Sequence, residues 1–219
     1  MLIEPKALAR LFLDGEETKA LTEIQAYLAE HSKKELYHDL LTPAMIHIGE
    51  LWERNEISVA DEHLATAICD FVMSAVDIRP VSLPSDGSKT ALVLGVEGEQ
   101  HYLGLKMTAS LLRENGWSVH YLGPDLPLDH ALAAAERWQP DAIGLSAALA
   151  YRAPAVRKFV EAFLELQPAP VIFIGGRAVS AADLSHLEQE GVLLFDNLHQ
   201  LERWIREEGG TEQYEKSAI

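Results

Sequence analysis

The sequence predicts a bundle of four helices followed by an α/β domain whose five strands form a parallel sheet. Residues 4–78 place apolar side chains every three or four positions, which is typical of amphipathic helices. Residues 90–208 instead alternate short apolar runs with helical stretches, which is typical of a parallel sheet covered by helices on both faces. This change of period divides the chain into two parts.

Short polar breaks separate the helices of the first part, so we expect an antiparallel bundle. Ser58 and Asp61 predict where the fourth helix begins, because each side chain can accept a hydrogen bond from the backbone N–H of the other. This start places Trp52 near the end of the third helix, and Glu62 and His63 in the first turns of the fourth. The side chains of Trp52, Glu62 and His63 should therefore lie at one end of the bundle.

The patterns divide the chain into four segments. They are a bundle at 1–78, a linker rich in proline and serine at 79–89, the sheet domain at 90–210 and a tail at 211–219. The expected strands are residues 90–96, 117–122, 142–146, 171–174 and 192–195. In such a sheet ligands bind beside the carboxyl ends of the strands, so we expect the functional residues at that edge.

Composition excludes several classes of protein. The formal net charge is −16, so direct binding to DNA or RNA is not expected. Cys69 is the only cysteine, which excludes an internal disulfide framework and a Cys-rich zinc site. The N-terminus lacks the pattern of a signal peptide, and no apolar run approaches the roughly 20 residues of a membrane span. We therefore expect a soluble, cytoplasmic protein without a membrane anchor.

A candidate metal ligand follows the first expected strand, in the pattern Glu99-x-His101-x-x-Gly104. A neutral imidazole is a good ligand for a transition metal such as cobalt. A carboxylate two residues away can accept a hydrogen bond from the other ring nitrogen, which fixes the tautomer and raises the basicity of the ligand. Glycine lets a bulky group approach the backbone. Taken alone, the pattern favours a histidine that lies in a loop beside a glutamate and binds no metal.

Small residues end two further strands at the same edge. Ser146 ends the third strand, and Gly175 and Gly176 end the fourth. Paired glycines after a buried strand leave room for a flat or extended group against the backbone. The alternatives are a serine that caps the next helix and glycines that form a tight turn.

In this order, the three motifs resemble the signature of the cobalamin-binding domain shared by methionine synthase, corrinoid methyltransfer proteins and several mutases. That signature is Asp-x-His-x-x-Gly, then Ser-x-Leu or Ser-x-Thr, then Gly-Gly, and the resemblance covers residues 90–208. It implies a Rossmann-like cobalamin-binding fold preceded by a helical cap. It also implies a base-off cobalamin with His101 as lower axial ligand and a nucleotide tail in a slot beside Ser146, Gly175 and Gly176.

The bundle resembles a narrower group. Trp52 is followed by nine residues and then Glu62-His63, as in adenosylcobalamin-dependent light-sensing regulators. In that group the bundle caps the upper face of the corrin, the tryptophan packs on the adenosyl group, and the Glu-His pair lines the same pocket. Since the chain begins with the bundle, it resembles the stand-alone members that act on a partner regulator. The alternative is structural, with Trp52 in the bundle core and Glu62 and His63 at a solvated helix start.

Three residues depart from these families. Glu99 stands where the wider family has aspartate, which keeps the carboxylate. Ala148 stands at the third position of the serine motif, which removes a side chain beside the tail. Glu53 stands where the best-known light-sensing regulators have a histidine that takes the open cobalt position after photolysis. A glutamate is a poorer ligand for that purpose, so capture of the light state by this route is not expected.

We therefore expect a non-enzymatic sensor that binds adenosylcobalamin, base-off with His101 on cobalt, and responds to light. Its output is expected through a protein partner such as a transcription regulator, or through its own oligomeric state. The alternative is a corrinoid protein that carries methyl groups between methyltransferases and uses His101 in the same way. A third possibility is a sensor of another tetrapyrrole, or a domain that has lost its ligand.

Overall fold

The computed structural model describes residues 2–77, 87–148, 150–177, 179 and 184–208. The chain divides into two compact units, Met1–Val81 and Ser82–Ile219. Of the predicted linker, only residues 87–89 lie within the described residues, and the predicted tail at 211–219 lies outside them.

The first unit is helical, as the sequence predicts. Its helices are α1 Pro5–Leu13, α2 Glu17–Leu28, α3 Lys33–Glu35, a π-helical segment Leu36–Leu41, α4 Thr42–Glu53 and α5 Val59–Val76. The π-helical segment joins α3 to α4, where the sequence predicts one regular helix. Pro43 explains the difference, because proline has no backbone N–H and its ring would meet the carbonyl of residue 39 in a regular α-turn. The N–H of Thr42 accordingly donates to the carbonyl of Tyr37, five residues back.

The predicted start of the last bundle helix is confirmed. The hydroxyl of Ser58 accepts a hydrogen bond from the N–H of Asp61 at 3.3 Å, and the Asp61 carboxylate accepts one from the N–H of Ser58 at 2.8 Å. The helix then buries Cys69, so its thiol is part of the bundle core. Within the described ranges, no helix has both the length and the apolar character that crossing a bilayer requires.

The second unit is the predicted five-stranded parallel sheet, in the order β2-β1-β3-β4-β5. Its strands are β1 Thr90–Val96, β2 Ser118–Leu126, β3 Ala142–Ser146, β4 Val171–Gly175 and β5 Val192–Phe195. Its helices are α6 Leu103–Glu114, α7 Leu128–Trp138, α8 Ala153–Leu164 and α9 Leu198–Glu208, with 3-10 turns at Ala150–Arg152 and Leu184–Leu187. Strand β2 continues four residues beyond its predicted end, because Gly123 and Asp125 take positive φ angles of 78° and 55° and carry the strand through two register shifts against β1.

The two faces of the sheet differ in composition. On the face covered by α7 and α8, large aliphatic side chains from β1, β3 and β4 fill a continuous core with Phe159 and Phe163. On the opposite face, β3 presents Gly144 and Ser146, and β4 presents Phe173 and Gly175, because side chains alternate along a strand. Small residues therefore line the second face toward its carboxyl edge.

Loss of the Ser58 cap gives a test of the bundle. Ser58→Ala leaves the N–H of Asp61 without its acceptor, and we expect the free energy of unfolding to fall by about 1 kcal/mol. Urea unfolding followed by circular dichroism measures this change. Thr22→Ala, which removes an exposed hydroxyl inside α2, is the control and should stay within about 0.5 kcal/mol of wild type. Equal effects of the two substitutions would contradict the capping role.

Candidate functional site

The site begins where the chain turns sharply after β1. Gly98 takes a φ of +81°, and a side chain there would run into the guanidinium group of Arg152. The N–H of Glu99 then donates to the carbonyl of Val96 at 2.9 Å, which closes the turn. This geometry directs the Glu99 side chain inward, where it is fully buried, while the loop continues to His101.

The Glu99 carboxylate holds the loop to the end of β3. Its Oε1 accepts hydrogen bonds from the N–H of His101 at 2.9 Å and from Nδ1 of the same ring at 2.6 Å. Its Oε2 accepts one from the N–H of Ala148 at 2.8 Å. The Ala148 contact uses only the backbone, so the side chain missing at this position is not needed for it. One carboxylate thus joins two strand ends and orients the candidate metal ligand.

These hydrogen bonds set the charge of Glu99. Burial raises the pKa of its carboxyl, but the donors of His101 and Ala148 outweigh burial and hold the pKa below its ordinary value. The carboxylate is therefore ionised at neutral pH and can only accept. In the neutral form of the His101 ring, Nδ1 therefore carries the proton and Nε2 keeps its lone pair.

The free nitrogen of His101 has the properties of a metal ligand. The side chain is 51% exposed, and Nε2 has no hydrogen-bond partner among the described residues. A neutral imidazole whose second nitrogen donates to a carboxylate is the usual arrangement of a metal-binding histidine. The predicted pair Glu99 and His101 is thus brought together in a geometry that suits a transition metal.

Asp125 is a residue of this site that the sequence analysis missed. Its Oδ1 accepts a hydrogen bond from the N–H of Gly98 at 2.6 Å, and its Oδ2 accepts one from Nε2 of Gln100 at 2.9 Å. Its own N–H donates to the carbonyl of Glu99 at 2.9 Å. Asp125 therefore fixes three consecutive residues of the loop. The available signal was the Gly123-Pro124-Asp125 sequence after the second strand, at the same edge of the sheet as the other candidates.

Ser146 and the paired glycines lie side by side at the carboxyl ends of β3 and β4. Ser146 is buried and pairs with Gly175 in the sheet, and the N–H of Ala147 donates to the carbonyl of Gly175 at 2.9 Å. Gly176 has a φ of +114°, and a Cβ there would lie 2.5 Å from the carbonyl oxygen of Ala147. This close approach of the chain requires glycine at position 176 whether or not a ligand binds.

Open space adjoins the other two glycines. A Cβ built at Gly104, in the first turn of α6, would have no heavy atom of the described residues within 4 Å. At Gly175 it would meet only the carbonyl oxygen of Phe195, at 3.9 Å. Gly104 and Gly175 therefore leave open space at their Cβ positions, as far as the described residues show.

The three predicted residues of the bundle lie in the first unit. Trp52, in the last turn of α4, is 48% exposed and so is not a core residue of the bundle. Glu62 and His63 lie in the first turns of α5, with the carboxylate of Glu62 3.1 Å from Nδ1 of His63. The same Nδ1 lies 2.8 Å from the carbonyl of Val59, and Thr66 donates to the other oxygen of Glu62 at 3.0 Å. The pair is therefore organised within its own helix.

Comparison with known families identifies domains of one kind in both units. Residues 89–196 match the model of a B12 binding domain, and residues 6–76 match a second model with the same description. The chain therefore carries B12 binding domains in both of its compact units.

Three individual proteins illustrate the similarity. Dimethylamine corrinoid protein 3 of Methanosarcina acetivorans is 25% identical over 169 residues, which are 75% of this chain and 78% of that protein. The HTH-type transcriptional repressor CarH of Myxococcus xanthus is 32% identical over 114 residues, which are 50% of this chain and 36% of the repressor. The structure of the monomethylamine corrinoid protein of Methanosarcina barkeri superposes with a TM-score of 0.73 at 16% identity and covers 93% of this chain and 97% of that one.

The lowered pKa of Glu99 predicts how stability depends on pH. The charged carboxylate contributes stability that is complete above its ordinary pKa near 4.5 and is lost as the pH falls through the lowered value. We expect wild type to exceed Glu99→Gln in free energy of unfolding at pH 7, and the difference to shrink below about pH 4.5. Urea unfolding at a series of pH values measures it. Glu161→Gln, which removes an exposed ion pair with Arg157, is the control. Its free energy of unfolding should stay close to that of wild type at every pH. A difference independent of pH would contradict the assigned charge.

The role of Asp125 can be tested without straining the backbone. Glycine and asparagine both adopt a φ near +55°, so Asp125→Gly removes the carboxylate alone, whereas Asp125→Asn keeps an acceptor for the N–H of Gly98. We expect Asp125→Gly to accelerate amide exchange at Gly98 about five- to tenfold, since one hydrogen bond contributes about 1 kcal/mol. Nuclear magnetic resonance measures this rate. The prediction fails if Asp125→Asn exchanges as fast as Asp125→Gly.

Proposed function

We propose that this chain, with B12 binding domains in both units, binds a base-off cobalamin through Nε2 of His101 and serves as a carrier of methyl groups in a methyltransferase system. The observation that carries the cofactor assignment is the 2.6 Å hydrogen bond from Nδ1 of His101 to the buried Glu99 carboxylate. It leaves Nε2 as the free nitrogen of a half-exposed ring, at the edge of the sheet where ligands bind.

The residues at this edge fit a cobalamin. Imidazole is a suitable axial ligand for cobalt, and the ionised Glu99 increases the electron density that the ring donates. Gly104 leaves space on the side of α6 where a corrin would approach. We assign the slot for the nucleotide tail to the region beside Ser146 and Gly175, where a Cβ at Gly175 would meet one backbone oxygen among the described residues. When bound, the cofactor supplies an upper cobalt position that can carry a methyl group.

The comparisons support the carrier function more than a sensor. The match to a dimethylamine corrinoid protein spans 75% of this chain and includes both units, whereas the match to the CarH repressor spans 50%. As a carrier, the chain holds and orients the cofactor, and the residues that break and form bonds to the methyl group belong to a protein partner. The native cofactor would then be methylcobalamin, and the partner a methyltransferase subunit, with self-association as a further possibility.

A light sensor is the second candidate, and one feature of the bundle favours it. Trp52, in the last turn of α4, exposes almost half of its surface, and Glu62 and His63 lie in the first turns of α5. A half-exposed tryptophan is a suitable surface for a flat adenosyl group. In this function the cofactor would be adenosylcobalamin, and the output would pass to a transcription regulator or to the oligomeric state.

Cobalamin titration of the purified protein tests the assignment of His101. We expect the absorption spectrum to report a base-off complex with a histidine on cobalt. Glu99→Gln should weaken binding about 10- to 100-fold, the range for loss of a residue that orients a ligand, and His101→Ala should weaken it further. His130→Ala, an exposed histidine on α7, is the matched control and should bind as wild type. Unchanged binding by His101→Ala would overturn the assignment.

The same preparation separates the two candidates. As a carrier, the protein should bind methylcobalamin and release its methyl group to a thiol only when a methyltransferase is added. As a sensor, it should prefer adenosylcobalamin and change its gel-filtration volume after green light. Trp52→Ala should lower the affinity for adenosylcobalamin in the second case and leave methylcobalamin binding unchanged in the first.

A further inference from the structure

Phe173 occupies the sheet face that carries the assigned tail slot. In the register of β3 against β4, Ser146 pairs with Gly175, and two residues deeper Gly144 pairs with Phe173. Side chains two residues apart point to the same face, so these four positions form two successive rows about 7 Å apart. The outer row is small, and the inner row contains one glycine and one large aromatic ring.

The ring of Phe173 lies across Gly144. A Cβ built at Gly144 would collide with Cζ and Cε2 of Phe173, so the ring fills the space that any other residue at 144 would need. The ring is buried. One row further out, the carbonyl oxygen of Phe195 is the only atom of the described residues within 4 Å of the Cβ position of Gly175. The Cβ position is therefore filled by the Phe173 ring in the inner row and is not filled by any described side chain in the outer row.

Other aromatic side chains surround this inner end. Phe173 lies 5.3 Å from Trp204 and 6.0 Å from Phe195, measured between ring centroids. Trp204 lies 5.7 Å from Trp117. These separations are typical of favourable aromatic contacts, so aromatic rings enclose this inner end of the face.

We propose that the Phe173 ring, which lies over Gly144, forms the inner end of the nucleotide-tail slot. By occupying this space, Phe173 limits the size of the base that the slot accepts. The proposal rests on the cobalamin assignment above. A tail with a bicyclic base, as in cobalamin, displaces the ring from Gly144 when it enters. A corrinoid without a tail leaves the ring in place. Phe173 is thus a specificity-determining residue for the lower base of the cofactor.

Two corrinoids with the same macrocycle isolate the contribution of the tail. Cobalamin carries the dimethylbenzimidazole nucleotide, and cobinamide lacks it. Phe173→Val removes the ring that the base must displace, and we expect the ratio of cobalamin to cobinamide affinity to rise about tenfold, equivalent to 1.4 kcal/mol. Spectral titration of the full chain with each corrinoid measures the ratio.

Phe159→Val is the matched control, because Phe159 is equally buried but lies on the opposite face of the sheet. We expect it to lower the Tm without changing the ratio. An unchanged ratio in Phe173→Val overturns the proposal, and so does a selective loss of cobalamin affinity, which would make the ring a support for the base. Failure of wild type to bind either corrinoid would instead overturn the cobalamin assignment.

The contact between the ring and Gly144 has its own test. Gly144→Ala should lower the Tm in the wild-type background, because the added Cβ collides with Phe173. The same substitution should cost much less in the Phe173→Val background, where the space is free. Equal losses in both backgrounds would show that the ring does not lie over Gly144, which would overturn the proposal.

Discussion

One buried carboxylate connects the elements on which the rest of the site depends. Glu99 accepts hydrogen bonds from the backbone and ring of His101 and from the backbone of Ala148, so a single side chain joins the end of β1 to the end of β3. Its ionised state assigns the proton of the histidine ring to Nδ1, which leaves Nε2 as the nitrogen that can bind a metal. Asp125 supports this arrangement from β2 by holding the backbone on either side of Glu99. Three adjacent strands thereby fix the orientation of one imidazole, which reduces the conformational cost of binding a large cofactor.

The two faces of the sheet are packed differently, and the proposed slot lies on the face with smaller residues. Against α7 and α8, large aliphatic side chains pack continuously and stabilise the second unit. On the other face, Ser146 and Gly175 are small residues near the carboxyl edge. The ring of Phe173 occupies the space that a side chain at position 144 would need, so glycine is required there. In the proposed slot, the Phe173 ring covers Gly144 when no base is bound and is displaced when a base enters. The residues that shape the slot are therefore also residues of the core.

The two candidate functions share the lower face of the cofactor and differ at the upper face. His101, Glu99 and the tail slot are required in the same way by a methyl carrier and by a light sensor. The difference rests on the bundle, where Trp52 is half-exposed and Glu62 and His63 are held within the first turns of α5. The longer match to a corrinoid protein favours the carrier, and the shorter match to a repressor keeps the sensor as an alternative. Adenosyl and methyl groups differ greatly in size, so selectivity for the upper ligand is the property that separates the two functions.

The sequence by itself determined the two-part architecture, the five parallel strands, the start of α5 and the position of His101 at the ligand-binding edge. These features depend on periodicity and on local hydrogen bonding, which neighbouring residues specify. The tertiary structure alone decided that Asp125 holds the loop around Glu99, that Glu99 accepts a hydrogen bond from the backbone of Ala148, and that Phe173 lies over Gly144. Each of these contacts joins residues 25 to 49 positions apart, across neighbouring strands. Such pairs meet only when the register, the bulges of β2 and the alternation of faces are known, and no local pattern of residues encodes all three.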